Sequence, residues 1–173
     1  IIESKASSEI IQLCGLSNAN FADSYSSEVK GKDISATDAA HAIFSSPPRF
    51  AVALMSVRNR IVSLFGIKTP DAISDGQNSA QRIGIFPVIS RQDDSIILGL
   101  DDKHLDFRIC VTSRPSETTL DSSHISLSTV VKTKNTFGKL YLSAVMPFHR
   151  LLSQQMFAIG LKRLSQRTVP PQK

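Results

Sequence analysis

A chain of 173 residues, 41% hydrophobic and 20% charged, suits one domain that buries roughly 70% of the surface its unfolded form exposes. Eight glycines and eight prolines exclude collagen-like and low-complexity classes, and no apolar run approaches the ~20 residues of a membrane-spanning helix. The formal charge of +5 is uneven: residues 122–173 hold eight Lys or Arg and no Asp or Glu, against twelve basic and fifteen acidic residues before them.

Residues 1–20 are expected to form an N-terminal extension. Ile1 to Leu16 lacks a basic region followed by an apolar stretch and a small-residue cleavage site, so no secretory signal is read there. Phe21 to Lys30 alternates loosely and predicts a strand. Ser35-Ala36-Thr37-Asp38 has the spacing of a helix capping box, followed by Ala39, Ala40, Ala42, Ile43 and Phe44. Pro47-Pro48 ends that short helix, and a second is predicted from Pro48 to Phe65. Residues 67–81 are turn-rich and predict a linker or flap.

At Arg82 the period changes to two. Ile83, Ile85 and Ile89 predict one strand over Arg82 to Ser90, with Pro87 marking an edge or bulge. Arg91-Gln92-Asp93-Asp94 turns the chain into a strand over Ser95 to Leu100, and Asp101-Asp102-Lys103 turns it again. The next strand sets Leu105, Phe107, Ile109 and Val111 on one face and Asp106, Arg108 and Cys110 on the other. His124 to Lys134 is a further strand. Short loops between consecutive strands predict an antiparallel meander.

A long helix over Lys139 to Arg167 closes the domain, with Leu140, Ala144, Phe148, Leu151, Leu152 and Ile159 as its expected apolar face. Pro147 removes one helical hydrogen bond and predicts a kink. Residues 167–173 read as a flexible tail. The fold class is therefore α+β, one curved antiparallel sheet gripping the last helix. Such a helix leaves concave apolar space suited to a small ligand.

Three stretches resemble one bacterial family, domain of unknown function 2867. They are Arg82-Ile83-Gly84-Ile85-Phe86-Pro87-Val88, Leu98-Gly99-Leu100-Asp101-Asp102-Lys103-His104-Leu105-Asp106-Phe107-Arg108, and Gly138-Lys139-Leu140-Tyr141-Leu142 through Met146-Pro147-Phe148-His149-Arg150. The helical Leu54-Met55-Ser56-Val57-Arg58-Asn59-Arg60-Ile61-Val62 fits it too. The resemblance covers roughly residues 20–165, and the Pro-Phe-His segment is its most specific part. That family is similar to the helix-grip superfamily of birch-pollen-allergen-like and START-like domains, which hold lipophilic molecules in a cavity. Members occur alone or fused to a nucleotide-binding oxidoreductase-like domain, and this chain resembles the stand-alone form. The resemblance implies no assigned reaction and no established functional residues.

His104, Asp106 and Arg108 alternate along one strand and so share a face. Together with His149 they suit acid–base work or the anchoring of a carboxylate or phosphate. The bland alternative is a cross-strand ion pair and a histidine bonded to a carbonyl. Met146-Pro147-Phe148-His149 is expected to line the interior, with Phe148 on the sheet, His149 near the cavity mouth, and Tyr141 and Arg108 as second anchors. Asp93-Asp94 and Asp101-Asp102 are turn-formers first. The histidines at 41, 104, 124 and 149 and the two cysteines, Cys14 and Cys110, form no zinc signature, so neither metal nor cofactor is expected. The cysteines read as free thiols in a reducing, cytoplasmic setting.

The basic residues are dispersed (Lys132, Lys134, Lys139, Arg150, Lys162, Arg163, Arg167), without interleaved stacking aromatics, so no nucleic-acid partner is expected. Lys162, Arg163 and Arg167 complement the dipole of their own helix. Three function classes remain. A non-catalytic binder of a small hydrophobic or amphipathic molecule leads. An enzyme of hydrolase or cyclase type in the same cavity comes second, and an interaction module without ligand third. Self-association is left open.

Overall fold

Alternating side chains and short polar turns make the sheet. The computed structural model describes residues 1–47, 49 and 81–167. Among these residues seven strands form: β1 (Ile2–Ser4), β2 (Phe21–Lys30), β3 (Arg82–Ile83), β4 (Phe86–Arg91), β5 (Ser95–Asp101), β6 (Leu105–Pro115) and β7 (Ser122–Thr133). The helices lying wholly within the described residues are α1 (Ser8–Leu13), α2 (Ala36–Phe44) and α3 (Thr136–Arg167). The sheet runs β1-β2-β7-β6-β5-β4-β3, every pair antiparallel, curved and unclosed. The predicted helix over 48–65 and the segment 67–81 lie outside the described residues except at positions 49 and 81.

The N-cap half of the capping box forms: Ser35 Oγ accepts from the Asp38 amide at 3.0 Å and starts α2, while the Asp38 carboxylate accepts from Ser35 Oγ at 2.6 Å. The single strand expected over Arg82 to Ser90 is instead a hairpin. Gly84, at φ 59°, adopts the left-handed conformation that reverses the chain between β3 and β4. The alternation therefore breaks: Ile83 is buried, whereas Ile85 and Ile89 are exposed. A register irregularity between Val88 and Ser90 matches the bulge that Pro87 suggests.

Each sheet face has its own apolar cluster. On one, Tyr25, Val29, Ile96, Leu98, Ile109, Val111, Ile125 and Leu127 pack with α2 and with Met156, Phe157 and Leu164 of α3. On the other, Cys110, Ile97 and Val130 meet Cys14 and Leu16, with Ile10, Ile11 and Leu13 of α1 against them. Residues 1–20 thus supply a strand and a helix to the sheet. Their six-residue helix is too short for a clear periodic signal in the sequence.

The α3 helix begins at Asn135, whose Oδ1 accepts from the Gly138 amide at 2.9 Å, and continues through Pro147. Its buried residues are Gly138, Met156, Phe157, Gly160 and Leu164. The apolar stripe expected to face the sheet points mostly outward: Leu140 is 70% exposed, Phe148 53% and Leu151 52%, and Ala144 is exposed too. Leu152 and Ile159 are half-buried. The helix carries apolar residues on two sides, and close approach decides between them. A Cβ at Gly160 would stand 2.5 Å from Ile43 Cγ1, so only glycine lets α3 lie this near α2.

Candidate functional site

The seam between α3 and the sheet holds one buried polar cluster. Asp23 and Tyr25, two residues apart on β2, point to the same face, toward α3. The Tyr25 hydroxyl donates to Asp23 Oδ2 at 3.3 Å, and His149 Nε2 donates to the same oxygen at 3.2 Å. One helical turn on, Ser153 Oγ lies 3.4 Å from that nitrogen. The Phe21 ring meets the imidazole edge-on, centroids 5.6 Å apart. Asp23 is only 6% exposed, and its other oxygen, Oδ1, is buried without a hydrogen-bond partner.

The chemistry of this cluster is constrained. Burial, reinforced by the charge of Asp23, pushes the Tyr25 phenol upward, so it stays a neutral donor rather than a base. Asp23 and Ser153 both engage Nε2 of His149. A Ser–His–Asp relay needs them on opposite ring nitrogens, so this arrangement does not activate Ser153. The shared contacts on Nε2 instead fix the orientation of the His149 ring over Asp23.

Apolar walls flank it unequally. Inward-facing residues in the second half of α3, Met156, Phe157, Gly160 and Leu164, are buried. In the first half, Tyr141, Leu142, Val145, Met146 and His149 are only half-buried. Phe21, Leu105 and Phe107 on the sheet are half-buried as well. The seam is therefore tight at one end and looser where Asp23 and His149 meet.

The other residues read from the sequence lie elsewhere. His149 does not approach the Asp106 and Arg108 face, because the sheet stands between them: Ile109 and Val111 face α3, whereas Cys110 faces α1. Arg108 pairs with Asp101 Oδ1 at 2.5 Å and donates to the Phe107 carbonyl at 3.0 Å. That guanidinium holds the Asp101 carboxyl below its usual range. Asp106 pairs with Lys134 at 2.6 Å. His104 Nδ1 bonds the Asn135 side chain and its ring lies 4.7 Å from that of Phe137, bracing the start of α3. Asp94 is held by Arg114, which also reaches Glu9. Arg163 donates to the carbonyls of Ala42 and Ser46, closing the end of α2 rather than its own helix.

Cys14 and Cys110 are free, buried and hydrogen-bonded to each other. That bond, with burial, pushes the Cys110 thiol strongly upward. Among the described residues, no group of three or more His, Cys, Asp or Glu is placed to hold a metal. A surface groove of about 460 Å³, lined by Lys30, Gly31, Lys32, Leu120 and Asp121, lies at the opposite end of the β2–β7 ladder from Phe21. The sequence offered no clear signal for Asp23, an acid inside a strand whose role depends on a helix 126 residues away.

A curved, unclosed antiparallel sheet carrying a long C-terminal helix, with a polar cluster in the seam, defines an α+β helix-on-sheet protein. The model of the family "Protein of unknown function (DUF2867)" matches residues 16–156, and the chain belongs to that family. No curated protein and no solved structure matches the chain. No described helix is long and apolar enough to cross a membrane.

Proposed function

We propose that this protein binds a small amphipathic molecule in the seam between the first half of α3 and the sheet. The observation that carries the reading is the pairing of half-buried apolar walls with one buried polar cluster between them. Phe21, Leu105 and Phe107 supply one wall, Tyr141, Leu142 and Val145 the other, and Asp23 with His149 the polar end. Apolar walls with few convergent polar groups are the usual chemistry of small-molecule sites. The helix-grip resemblance of the family points the same way.

His149 keeps the anchoring role read from the sequence, and Asp23 joins it. His104, Asp106, Arg108 and Phe148 fall outside the proposal, the first three committed to partners beyond the sheet or at the helix start and the last facing outward. Native mass spectrometry of gently purified protein should show a copurified small molecule that organic extraction removes. Replacing the polar anchor with an apolar ring, in His149→Phe, should abolish that mass increment. Retention of the same molecule by the folded variant would place binding elsewhere.

A further inference from the structure

One atom bears on what kind of head such a ligand carries. Oδ2 of Asp23 already receives two donors, Tyr25 Oη and His149 Nε2. Oδ1 receives none, although it is fully shielded from solvent within a residue only 6% exposed. Buried carboxylate oxygens are normally satisfied, and an orphan of this kind marks a place where a donor belongs.

The charges around it are equally one-sided. Among the described residues, the titratable groups near the cluster are Asp23, Tyr25, His149, Glu3 and Arg150. Tyr25 is a neutral phenol whose proton is directed at Asp23. Glu3 is a second carboxylate and is bonded by Gln154 at 2.9 Å. Arg150 is exposed, one residue beyond the inward-facing His149. Arg108 and Lys134 are ion-paired on other carboxylates. Among the described residues, no buried arginine or lysine stands beside Asp23 to receive an anionic head against its charge. A donor head meets an empty acceptor.

We infer that Oδ1 of Asp23 is the acceptor for the ligand's head group, and that the seam selects amphiphiles with a hydrogen-bond-donating head, ammonium first and hydroxyl second, over carboxylates. This rests on the seam being a ligand site, as proposed above. The charge-assisted bond between ammonium and carboxylate is stronger than the neutral one from an alcohol.

The test uses three probes of equal chain length, decylamine, decanol and decanoate, titrated calorimetrically into the full chain below their micellar concentrations. Decylamine should bind at least about tenfold tighter than decanoate, with decanol between them. In Asp23→Asn the spread should shrink to within about threefold, because the amide offers a donor as well as an acceptor. The ranking on the unaltered protein decides the matter even if that variant folds poorly. Decanoate binding as tightly as decylamine would overturn the head assignment and leave the seam standing as a site. An unchanged ranking in folded Asp23→Asn would remove Asp23 from the contact. No binding by any of the three would take down the seam as a ligand site, and the head assignment with it.

Discussion

At the scale of single residues, a histidine on a helix acquires its meaning from an acid on a strand. Asp23 is a buried carboxylate whose charge is supported by His149 and Tyr25, and breaking such a set leaves an uncompensated group behind. Replacing His149 with Ala should therefore lower stability by about 2 kcal/mol in urea denaturation. In an Asp23→Asn background the same change should cost roughly 1 kcal/mol less, a coupling that a double-mutant cycle reads directly. Equal costs in both backgrounds would mean that the two side chains do not interact. His149→Ala should thus lower stability as well as weaken the proposed binding, so the two effects have to be measured separately.

A second residue-scale expectation concerns Glu28. Hydroxyls of Thr118, Ser116 and Thr119 donate to its exposed carboxylate and draw its pKa down to about 2. A carboxyl whose folded pKa lies below its unfolded value contributes stability above the unfolded value. That contribution is lost as pH falls through the folded one. The contact to the 116–119 loop should thus hold at neutral pH and fade between about pH 4.5 and 2. An NMR titration of the Glu28 side chain should give a midpoint near 2; a midpoint near 4.5 would show that the hydroxyls do not hold it in solution. The two cysteines should likewise count as two thiols after unfolding without reductant, and a count of zero would contradict their free state.

At the scale of elements, α3 sets local propensity against packing. Helix propensity alone favours Gly160→Ala by about 1 kcal/mol. The added methyl, however, would stand 2.5 Å from Ile43 Cγ1 and 3.0 Å from its Cα, and backbone does not yield easily. Overpacking of that kind costs about 1–3 kcal/mol. The variant should melt lower than the parent, and a rise in melting temperature would show that α2 and α3 are less tightly apposed. This contact also explains what the sequence could and could not disclose. The period of two over residues 95–133 and the capping box at Ser35 are local signals, and the strands and α2 follow them. The inward stripe of α3 is not local. Leu140, Phe148 and Leu151 are as apolar as Met156 and Phe157, and only the close approach at Gly160 selects between the two sides. The hairpin at Gly84 was hidden because Ile83, Ile85 and Ile89 imitate one alternating strand. The site was half legible: His149 stands out beside Pro147, whereas Asp23 is a polar residue in a loosely alternating segment with nothing nearby to mark it.

At the scale of the whole molecule, the sheet separates two environments with different chemistry. One side carries the α2 and α3 core and the Asp23–His149 cluster; the other carries α1 and the paired thiols. The side chains of Asp106 and Arg108 share a strand with the core residues but look away from them, so pairing by sequence proximity misleads about shared space. The positive charge of residues 122–173 is likewise divided among local tasks. Lys134 answers Asp106, Arg163 closes α2, and Lys139, Arg150 and Lys162 remain on exposed positions.

Gly138 and Gly160 together turn α3 into something other than a lid. At the first, the helix lies against the His104 carbonyl; at the second, against Ile43. The span between these supports is roughly 33 Å at 1.5 Å per residue. A beam clamped at both ends neither hinges nor slides; it flexes at mid-span. That is where Pro147 leaves the helical ladder one rung short, directly beside His149. The ligand proposed above would therefore gain entry through bowing of the middle rather than release of an end. Amide exchange should accordingly be faster over residues 144–150 than over 156–164, and equally slow exchange along the whole helix would show the beam to be stiff throughout.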